Sequence, residues 1–236
     1  MNIIITGASR GIGFELAHIF AKEAGNTLFL ISRNKQKLED LIHSCIKEHP
    51  NAKLIALPFD LANIIDIQNL ATQITSETSK IDIVINNAGY LVNKPFEAIQ
   101  PNEVEKMYKV NVLAPIELIR CLLPQLKNSQ HAHIVNISSM GGFQGSVKFP
   151  GLAGYSSSKA AIACLTECLA EEYKDSTLKF NCLALGAVST EMLAEAFPGY
   201  AAPTSAKEMA RFIYDFSLTG HTMFNGKILP VSLSTP

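Results

Sequence analysis

The sequence has almost no net charge and no long run of like charge. Its 236 residues include 20 Lys and Arg against 21 Asp and Glu, which gives a formal net charge of −1. Domains that bind nucleic acid carry a basic patch that neutralises phosphates. We therefore expect no nucleic-acid partner.

Long apolar runs are also missing. No run approaches the roughly 18 apolar residues that a membrane-spanning helix requires. Residues 2–6 have the pattern of a strand and lack the basic and apolar regions of a signal peptide. We therefore expect a cytoplasmic protein with no membrane contact.

The cysteines do not form a disulfide framework. They are odd in number and scattered, which is typical of reduced thiols inside the cell. Two of them, Cys164 and Cys168, share a face of a predicted helix, but no third ligand is placed near them. The six histidines show no ligand spacing either. We therefore expect no metal site.

What the sequence does contain is a regular alternation of β-branched runs and amphipathic stretches. Strands are predicted at 2–6, 27–32, 53–58, 81–86, 132–138, 178–185 and 227–232. Helices are predicted at 11–24, 34–49, 63–79, 101–127, 155–174 and 205–218. This alternation indicates βαβ crossovers, and with 47% hydrophobic residues the chain can bury one large core. We predict a single α/β domain over residues 1–236.

A glycine-rich turn joins the first predicted strand to the first predicted helix. Glycine permits positive φ angles and a close approach of the backbone to phosphate. The start of the helix then offers free N–H groups and a positive dipole end. An ordinary turn is the alternative, but the position favours a dinucleotide site formed by Gly7, Ser9, Arg10, Gly11, Ile12 and Gly13.

The residues after the second strand bear on the choice of cofactor. NAD-binding folds usually place an acidic residue there, on the ribose 2′-hydroxyl. This chain has Arg33 instead, and Arg10 lies in the glycine turn. Two guanidinium groups suit a 2′-phosphate. We predict NADP(H) rather than NAD(H), with a merely solvated Arg33 as the alternative.

Tyr155 and Lys159 are the candidate catalytic pair. Their four-residue spacing places both side chains on one face of a helix. An ammonium group near a tyrosine favours the phenolate and lowers its pKa, so that the tyrosine can exchange a proton with a substrate oxygen. The same spacing occurs in Tyr90 and Lys94, but Pro95 disfavours a helix there. We interpret the second pair as a coincidence.

Two further polar residues complete the candidate site. The fifth strand ends in two serines, Ser138 and Ser139, and either hydroxyl could bind a substrate oxygen. Asn111 lies four residues before Pro115, whose missing N–H leaves the Asn111 carbonyl without its helical partner. A buried carbonyl needs a partner, so we expect a water there, although a plain proline kink is the alternative.

Taken in order, these motifs resemble the short-chain dehydrogenases/reductases, in their compact single-domain branch. The resemblance rests on the G-x-x-x-G-x-G turn from Gly7 to Gly13, Asn87-Ala88-Gly89, the serine pair, and Tyr-x-x-x-Lys. It covers essentially the whole chain. It implies a Rossmann-type, doubly wound, mainly parallel seven-stranded sheet with helices on both faces.

The resemblance also implies roles for individual residues. The catalytic set would be Asn111, Ser139, Tyr155 and Lys159, with Asn111 holding a water that links the lysine to solvent. The cofactor would also contact Asp60, Leu61, Asn87, Ala88, Gly89, Tyr155, Lys159, Val188 and Thr190. Asp60 could equally cap the following helix. Leu185 departs from the family, where proline is usual before the glycine.

The activity expected from this resemblance is hydride transfer between nicotinamide C4 and a carbonyl or alcohol carbon. The irregular segments 140–154 and 186–204 follow strands, so they should border the ligand site. Their apolar side chains would either wall the substrate pocket or pack a lid against the body. These side chains are Phe143, Phe149, Leu152, Met192, Leu193, Phe197 and Tyr200.

Assembly and the competing functions also follow from the resemblance. A homodimer or homotetramer is expected through helices 101–127 and 155–174. The tail 231–236 lacks the glycine-rich end that many relatives use in subunit contacts. A dinucleotide-sensing regulator without turnover is the alternative function, because fold does not determine function. A dehydratase or epimerase is a third.

Overall fold

Runs rich in Ile, Leu and Val form one parallel sheet in the computed structural model, which describes residues 1–233. Such residues suit strands that are buried on both faces. The sheet strands are β1 (Asn2–Thr6), β2 (Thr27–Ser32), β3 (Lys53–Pro58), β4 (Ile83–Asn86), β5 (Ala132–Ser139), β6 (Leu178–Leu185) and β9 (Lys227–Val231). Two short strands, β7 (Val188–Ser189) and β8 (Thr204–Ser205), pair separately.

The strand order is β3-β2-β1-β4-β5-β6-β9, and every neighbouring pair is parallel. The chain runs outward in one direction from β1 to β3, then returns and runs outward in the other from β4. Ile3 of β1 therefore lies between Leu28 of β2 and Ile83 of β4. This is the predicted doubly wound sheet, and its reversal point creates a crevice beyond the carboxyl ends of β1 and β4.

Helices cover both faces of the sheet. They are α1 (Gly11–Ala21), α2 (Lys35–Glu48), α3 (Ile67–Glu77), α4 (Pro101–Tyr108), α5 (Ala114–Lys127), α6 (Ala153–Glu172), α7 (Glu191–Ala196) and α8 (Ala206–Thr219). Ile3 and Ile5 pack into the core formed with α1, α2 and α8. Ile4 points the other way, into the core formed with α3 and α5. Both faces of β1 are thus buried.

The predicted helix 101–127 is not one regular α-helix. A π-helical segment, Lys109–Leu113, separates α4 from α5, and the Ala114 N–H bonds the Lys109 carbonyl five residues back. Pro115 follows directly and has no N–H for the Asn111 carbonyl. The sequence therefore locates the irregularity correctly, but the α-helical pattern shifts register there instead of only kinking.

The segment 186–204 is more ordered than the sequence indicates. It contains β7 and α7, and Thr190 caps α7 by accepting a hydrogen bond from the Leu193 N–H at 3.3 Å. Within residues 1–233, no helix is long and apolar enough to cross a bilayer. The last three residues of the predicted tail, 234–236, lie outside the described residues.

Candidate active site

A cavity of about 540 Å³ opens at the carboxyl ends of the strands. It runs from the glycine turn to α6 and lies beneath α7. Most predicted site residues line it: Gly7, Ser9, Arg10, Gly11, Ile12, Arg33, Asp60, Leu61, Asn87, Ala88, Gly89, Ser139, Tyr155, Lys159, Val188 and Thr190. Gly13 and Asn111 are buried behind this lining.

The glycine turn lies tightly against the end of β4. Gly7 has a φ of +70°, which favours glycine. A Cβ atom on Gly13 would collide with the Gly7 carbonyl oxygen and lie 2.8 Å from Asn87 Nδ2. The Asn87 Nδ2 group donates to the Thr6 carbonyl at 3.0 Å, and the Ala88 N–H donates to Thr6 Oγ1 at 2.9 Å. The turn therefore presents bare backbone to the cavity.

The two arginines predicted for the 2′-phosphate have different environments. Arg33 is exposed at the cavity wall. Arg10 instead donates to Glu195 Oε1 of α7 at 2.5 Å. This contact raises the pKa of Arg10 and lowers the pKa of Glu195. The sequence gives no indication of this ion pair.

Asp60 makes a local contact. Its Oδ1 accepts a hydrogen bond from the Ala62 N–H at 3.0 Å, which shapes the turn after β3 while the side chain stays on the cavity wall. Asp60 therefore stabilises a turn and does not cap a helix, because the following 3₁₀ segment begins only at Ile64.

Tyr155 and Lys159 lie one turn apart on α6. Lys159 Nζ is 5.8 Å from the centre of the Tyr155 ring and donates to the Ile137 carbonyl at 2.8 Å. Tyr90 and Lys94, by contrast, lie in a segment without helical structure, and Lys94 pairs with Glu103. The helix that Pro95 was expected to disfavour is thus not formed at this second pair.

Burial controls the protonation of Tyr155 and Lys159. It raises the pKa of Tyr155 to about 12, although the neighbouring Ser139 hydroxyl acts to lower that pKa. It also lowers the pKa of Lys159 to about 8. At pH 7 the phenol is therefore protonated and the lysine is mostly charged. The expected lowering of the Tyr155 pKa is therefore not found, because desolvation of the buried phenol raises that pKa.

The two serines at the end of β5 have separate roles. Ser138 Oγ is buried and donates to the Lys159 carbonyl at 2.6 Å. Ser139 Oγ accepts from the Gly141 N–H at 3.2 Å and contacts Tyr155 at the cavity. Of the two serines that the sequence left open, the geometry favours Ser139 as the one that meets a substrate.

The Asn111 side chain fixes the loop after β4. Its Oδ1 accepts from the Tyr90 N–H at 2.8 Å, and its Nδ2 donates to the Tyr90 carbonyl at 3.0 Å and to Ser158 Oγ at 2.9 Å. The position of Pro115 in the sequence points only to the backbone carbonyl of Asn111. Nothing in the spacing of residues 90, 111 and 158 could have revealed these side-chain bonds.

All but one of the apolar side chains predicted to border the substrate line the cavity. Phe149, Leu152 and four residues of the second segment, Met192, Leu193, Phe197 and Tyr200, line the cavity as predicted. Phe143 does not, because the chain turns at Met140–Gly142 and carries it outside the lining. Further residues that no sequence motif indicates also line the cavity: Tyr90, Leu91, Lys106, Val110 and Glu191.

Across residues 1–233, no three His, Cys, Asp or Glu side chains are grouped so that they could hold a metal ion. Cys164 and Cys168 are both exposed on α6 as free thiols.

Comparison with known proteins places this geometry in a family. The family model for short chain dehydrogenases matches residues 1–201. The chain belongs to the short-chain dehydrogenase family. A solved short chain dehydrogenase from Escherichia coli CFT073, complexed with NADPH, is 30% identical, with a TM-score of 0.87 and coverage of 97% of this chain and 95% of that one.

Two family members of named activity are similar in sequence. Ketoacyl reductase HetN from Nostoc sp. is 33% identical over 188 residues, which are 80% of this chain and 63% of that protein. Human estradiol 17-beta-dehydrogenase 11 is 33% identical over 191 residues, which are 80% of this chain and 62% of that protein. The match thus spans a little over three fifths of the length of each relative.

Proposed function

We propose that this short-chain dehydrogenase is an NADP(H)-dependent oxidoreductase acting on the carbonyl or alcohol carbon of a small to medium, partly apolar substrate. One observation carries the proposal. The glycine turn and the Ser139–Tyr155–Lys159 group face the same cavity, so a dinucleotide on the turn and a substrate oxygen on the tyrosine share one space.

The residues present fit a dinucleotide. Gly11 lines the cavity, and a Cβ atom on it would lie in the gap toward Thr190, 3.2 Å from Thr190 Cγ2. The first turn of α1 points free N–H groups toward the same space. Arg10 and Arg33 would receive a 2′-phosphate, and Lys159 would bind the nicotinamide ribose. Val188 and Thr190 would meet the carboxamide. When bound, the nicotinamide supplies or accepts the hydride. The NADPH in the Escherichia coli structure supports this choice of cofactor.

The side chains supply the proton chemistry. Ser139 and Tyr155 hold the substrate oxygen by hydrogen bonds. Because the Tyr155 phenol is protonated at neutral pH, it can donate its proton to the oxygen of a carbonyl undergoing reduction. The Lys159 ammonium then stabilises the phenolate that is left. Asn111 holds the loop at Tyr90 in place and, by its carbonyl, a water that would resupply the proton.

The substrate is bordered by the segments 140–154 and 186–204. Their side chains at the cavity are mainly apolar, including Leu152, Met192 and Phe197, which favours a substrate with a hydrocarbon part. The family resemblance further supports a homodimer or homotetramer packed through the helices at 101–127 and 155–174. The scattered cysteines support a cytoplasmic location.

The decisive experiment follows NADPH oxidation by the purified protein with a broad panel of carbonyl compounds, with Tyr155→Phe in parallel. We expect turnover that falls by about 10² to 10⁴ in the variant, the usual contribution of a positioned acid. Equal rates in both proteins would remove Tyr155 from the mechanism. Binding of NADPH without turnover of any compound would favour the alternative, a dinucleotide-sensing regulator.

A further inference from the structure

Lys106 brings a positive charge to the substrate side of the cavity. It lies in the last turn of α4, and its Nζ is 4.8 Å from the centre of the Tyr90 ring. Both side chains line the cavity, as does Val110 one turn further along. A cation over a tyrosine face is held in place while its N–H groups remain available to a ligand.

The acidic neighbours of Lys106 on α4 are engaged elsewhere. Glu103 pairs with Lys94 at 2.5 Å, and Glu105 pairs with Lys109 at 2.8 Å. Among residues 1–233, no carboxylate forms an ion pair with Lys106. A cation in a mainly apolar cavity is stabilised when a ligand brings the opposite charge.

The position of Lys106 is tied to the catalytic residues. The Tyr90 backbone is fixed at both its N–H and its carbonyl by Asn111. The preceding residue, Gly89, is close to Lys159, because a Cβ atom on it would lie 3.5 Å from Lys159 Nζ. A ligand that reaches from Lys159 to Lys106 would therefore follow the cavity wall formed by Gly89 and Tyr90.

We infer that Lys106 binds a carboxylate on the substrate, so that the preferred substrates are oxo acids or hydroxy acids with an apolar middle. This inference rests on the proposed oxidoreductase function and names its substrate class. A single ammonium flanked by Tyr90 and Val110 matches a monoanion. A phosphate dianion would call for more donors than this wall offers.

The test compares medium-chain oxo acids with their methyl esters, which keep the carbonyl and lose the charge. With NADPH, we expect kcat/KM to be about tenfold higher for the acids, the effect of one partly exposed charge-assisted contact. In Lys106→Gln this preference disappears through a higher KM for the acids. Lys106→Arg restores part of it. Lys109→Gln removes the same charge from the neighbouring ion pair and leaves the preference intact.

Two results would overturn the inference while leaving the proposed function standing. One is equal kcat/KM for acids and esters in the unaltered protein. The other is a loss in Lys106→Gln that is the same for both, since this would mean a structural role for the side chain.

Binding separates this inference from the reaction itself. Calorimetry with non-reducible pairs, medium-chain fatty acids and their amides, needs no turnover. Tighter binding of the acids that Lys106→Gln abolishes supports the carboxylate site even if no carbonyl compound is reduced, in which case the proposed function fails alone. Equal binding of acids and amides overturns the inference.

Discussion

Arg10 in the glycine turn is held by Glu195 of α7, 185 residues further along the chain, with 2.5 Å between Nη1 and Oε1. The contact joins the predicted phosphate site to the helix that covers the cavity. The guanidinium that would grip a 2′-phosphate therefore already has an anionic partner, and the two anions would compete for it.

This competition can be measured. In Glu195→Gln the carboxylate no longer opposes the phosphate, so we expect NADPH to bind about threefold to tenfold more tightly, within the range of a partly exposed ion pair. NADH, which has no 2′-phosphate, should bind as before. Titration calorimetry with both cofactors gives the two dissociation constants.

A matched control is Glu117→Gln, which removes the partner of Arg120 on α5, outside the cavity lining. It should change neither constant. Weaker NADPH binding in Glu195→Gln would show that the ion pair closes the site over the cofactor instead of competing with it.

Ser139 and Ser138 provide a second test, because adjacent residues are expected to behave differently. Ser139→Ala removes a hydroxyl that would bind the substrate oxygen in the proposed reaction, so kcat should fall by about 10² to 10³, as for one lost oxyanion donor. Ser138→Ala breaks the buried bond to the Lys159 carbonyl. It should lower the free energy of unfolding by about 1 to 2 kcal/mol and change kcat far less. Steady-state rates and denaturant melts distinguish the two, and the reverse order would exchange their roles.

Gly13 tests the tight packing of the glycine turn, with Gly154 of α6 as the comparison. In Gly13→Ala the new methyl group meets the Gly7 backbone and the fixed Asn87 amide, which cannot move away, so we expect several kcal/mol of destabilisation and loss of cofactor binding. In Gly154→Ala the nearest atom is the flexible end of Met107. The gain in helix propensity, about 1 kcal/mol, should offset that contact. Thermal unfolding of both variants checks this, and similar Tm values would contradict it.

His133 predicts a pH dependence of stability. Burial lowers its pKa to about 4, so in the folded protein it stays neutral while it accepts a hydrogen bond from Asn181 and contacts the Ser217 carbonyl. Unfolding restores a pKa near 6.5. The unfolded state therefore binds the extra proton between pH 6.5 and 4, and the free energy of unfolding should drop by up to about 3 kcal/mol as the pH falls through that window.

The variant His133→Gln should flatten this part of the curve, whereas His43→Gln, at an exposed position of α2, should leave it unchanged. Denaturant unfolding at several pH values gives the comparison. An unaltered slope in His133→Gln would assign the acid sensitivity to other groups.

The sheet and its helices could be predicted because their signals are local. Apolar runs such as Ile3–Ile5 and Ile83–Ile85 indicate buried strands. The spacing within the glycine turn, and between Tyr155 and Lys159, can be read directly from the sequence. Parallel strands then bring their carboxyl ends to one edge, which assembles most of the site without further information.

The contacts that the sequence did not reveal join residues that are distant in the chain. The bonds from Asn111 to Tyr90 and from Arg10 to Glu195 depend on how loops are folded over the edge, and no periodicity encodes them. Helix α7 was missed because six residues are too few to show a 3.6-residue pattern. The pKa of Tyr155 depends on desolvation, which is a property of the packed site rather than of the four-residue motif.

The π-helical segment Lys109–Leu113 changes the helical register between α4 and α5, which otherwise form one continuous helix. One extra residue in a turn rotates everything after it by about 100°. Lys106 of α4 and Val110 of the π-helical segment can therefore line the cavity, while Leu118, Leu122 and Leu126 of α5 pack into the core. Deleting one residue between 109 and 113 would make the helix more regular. It would also rotate either α4 away from the cavity or α5 away from the core.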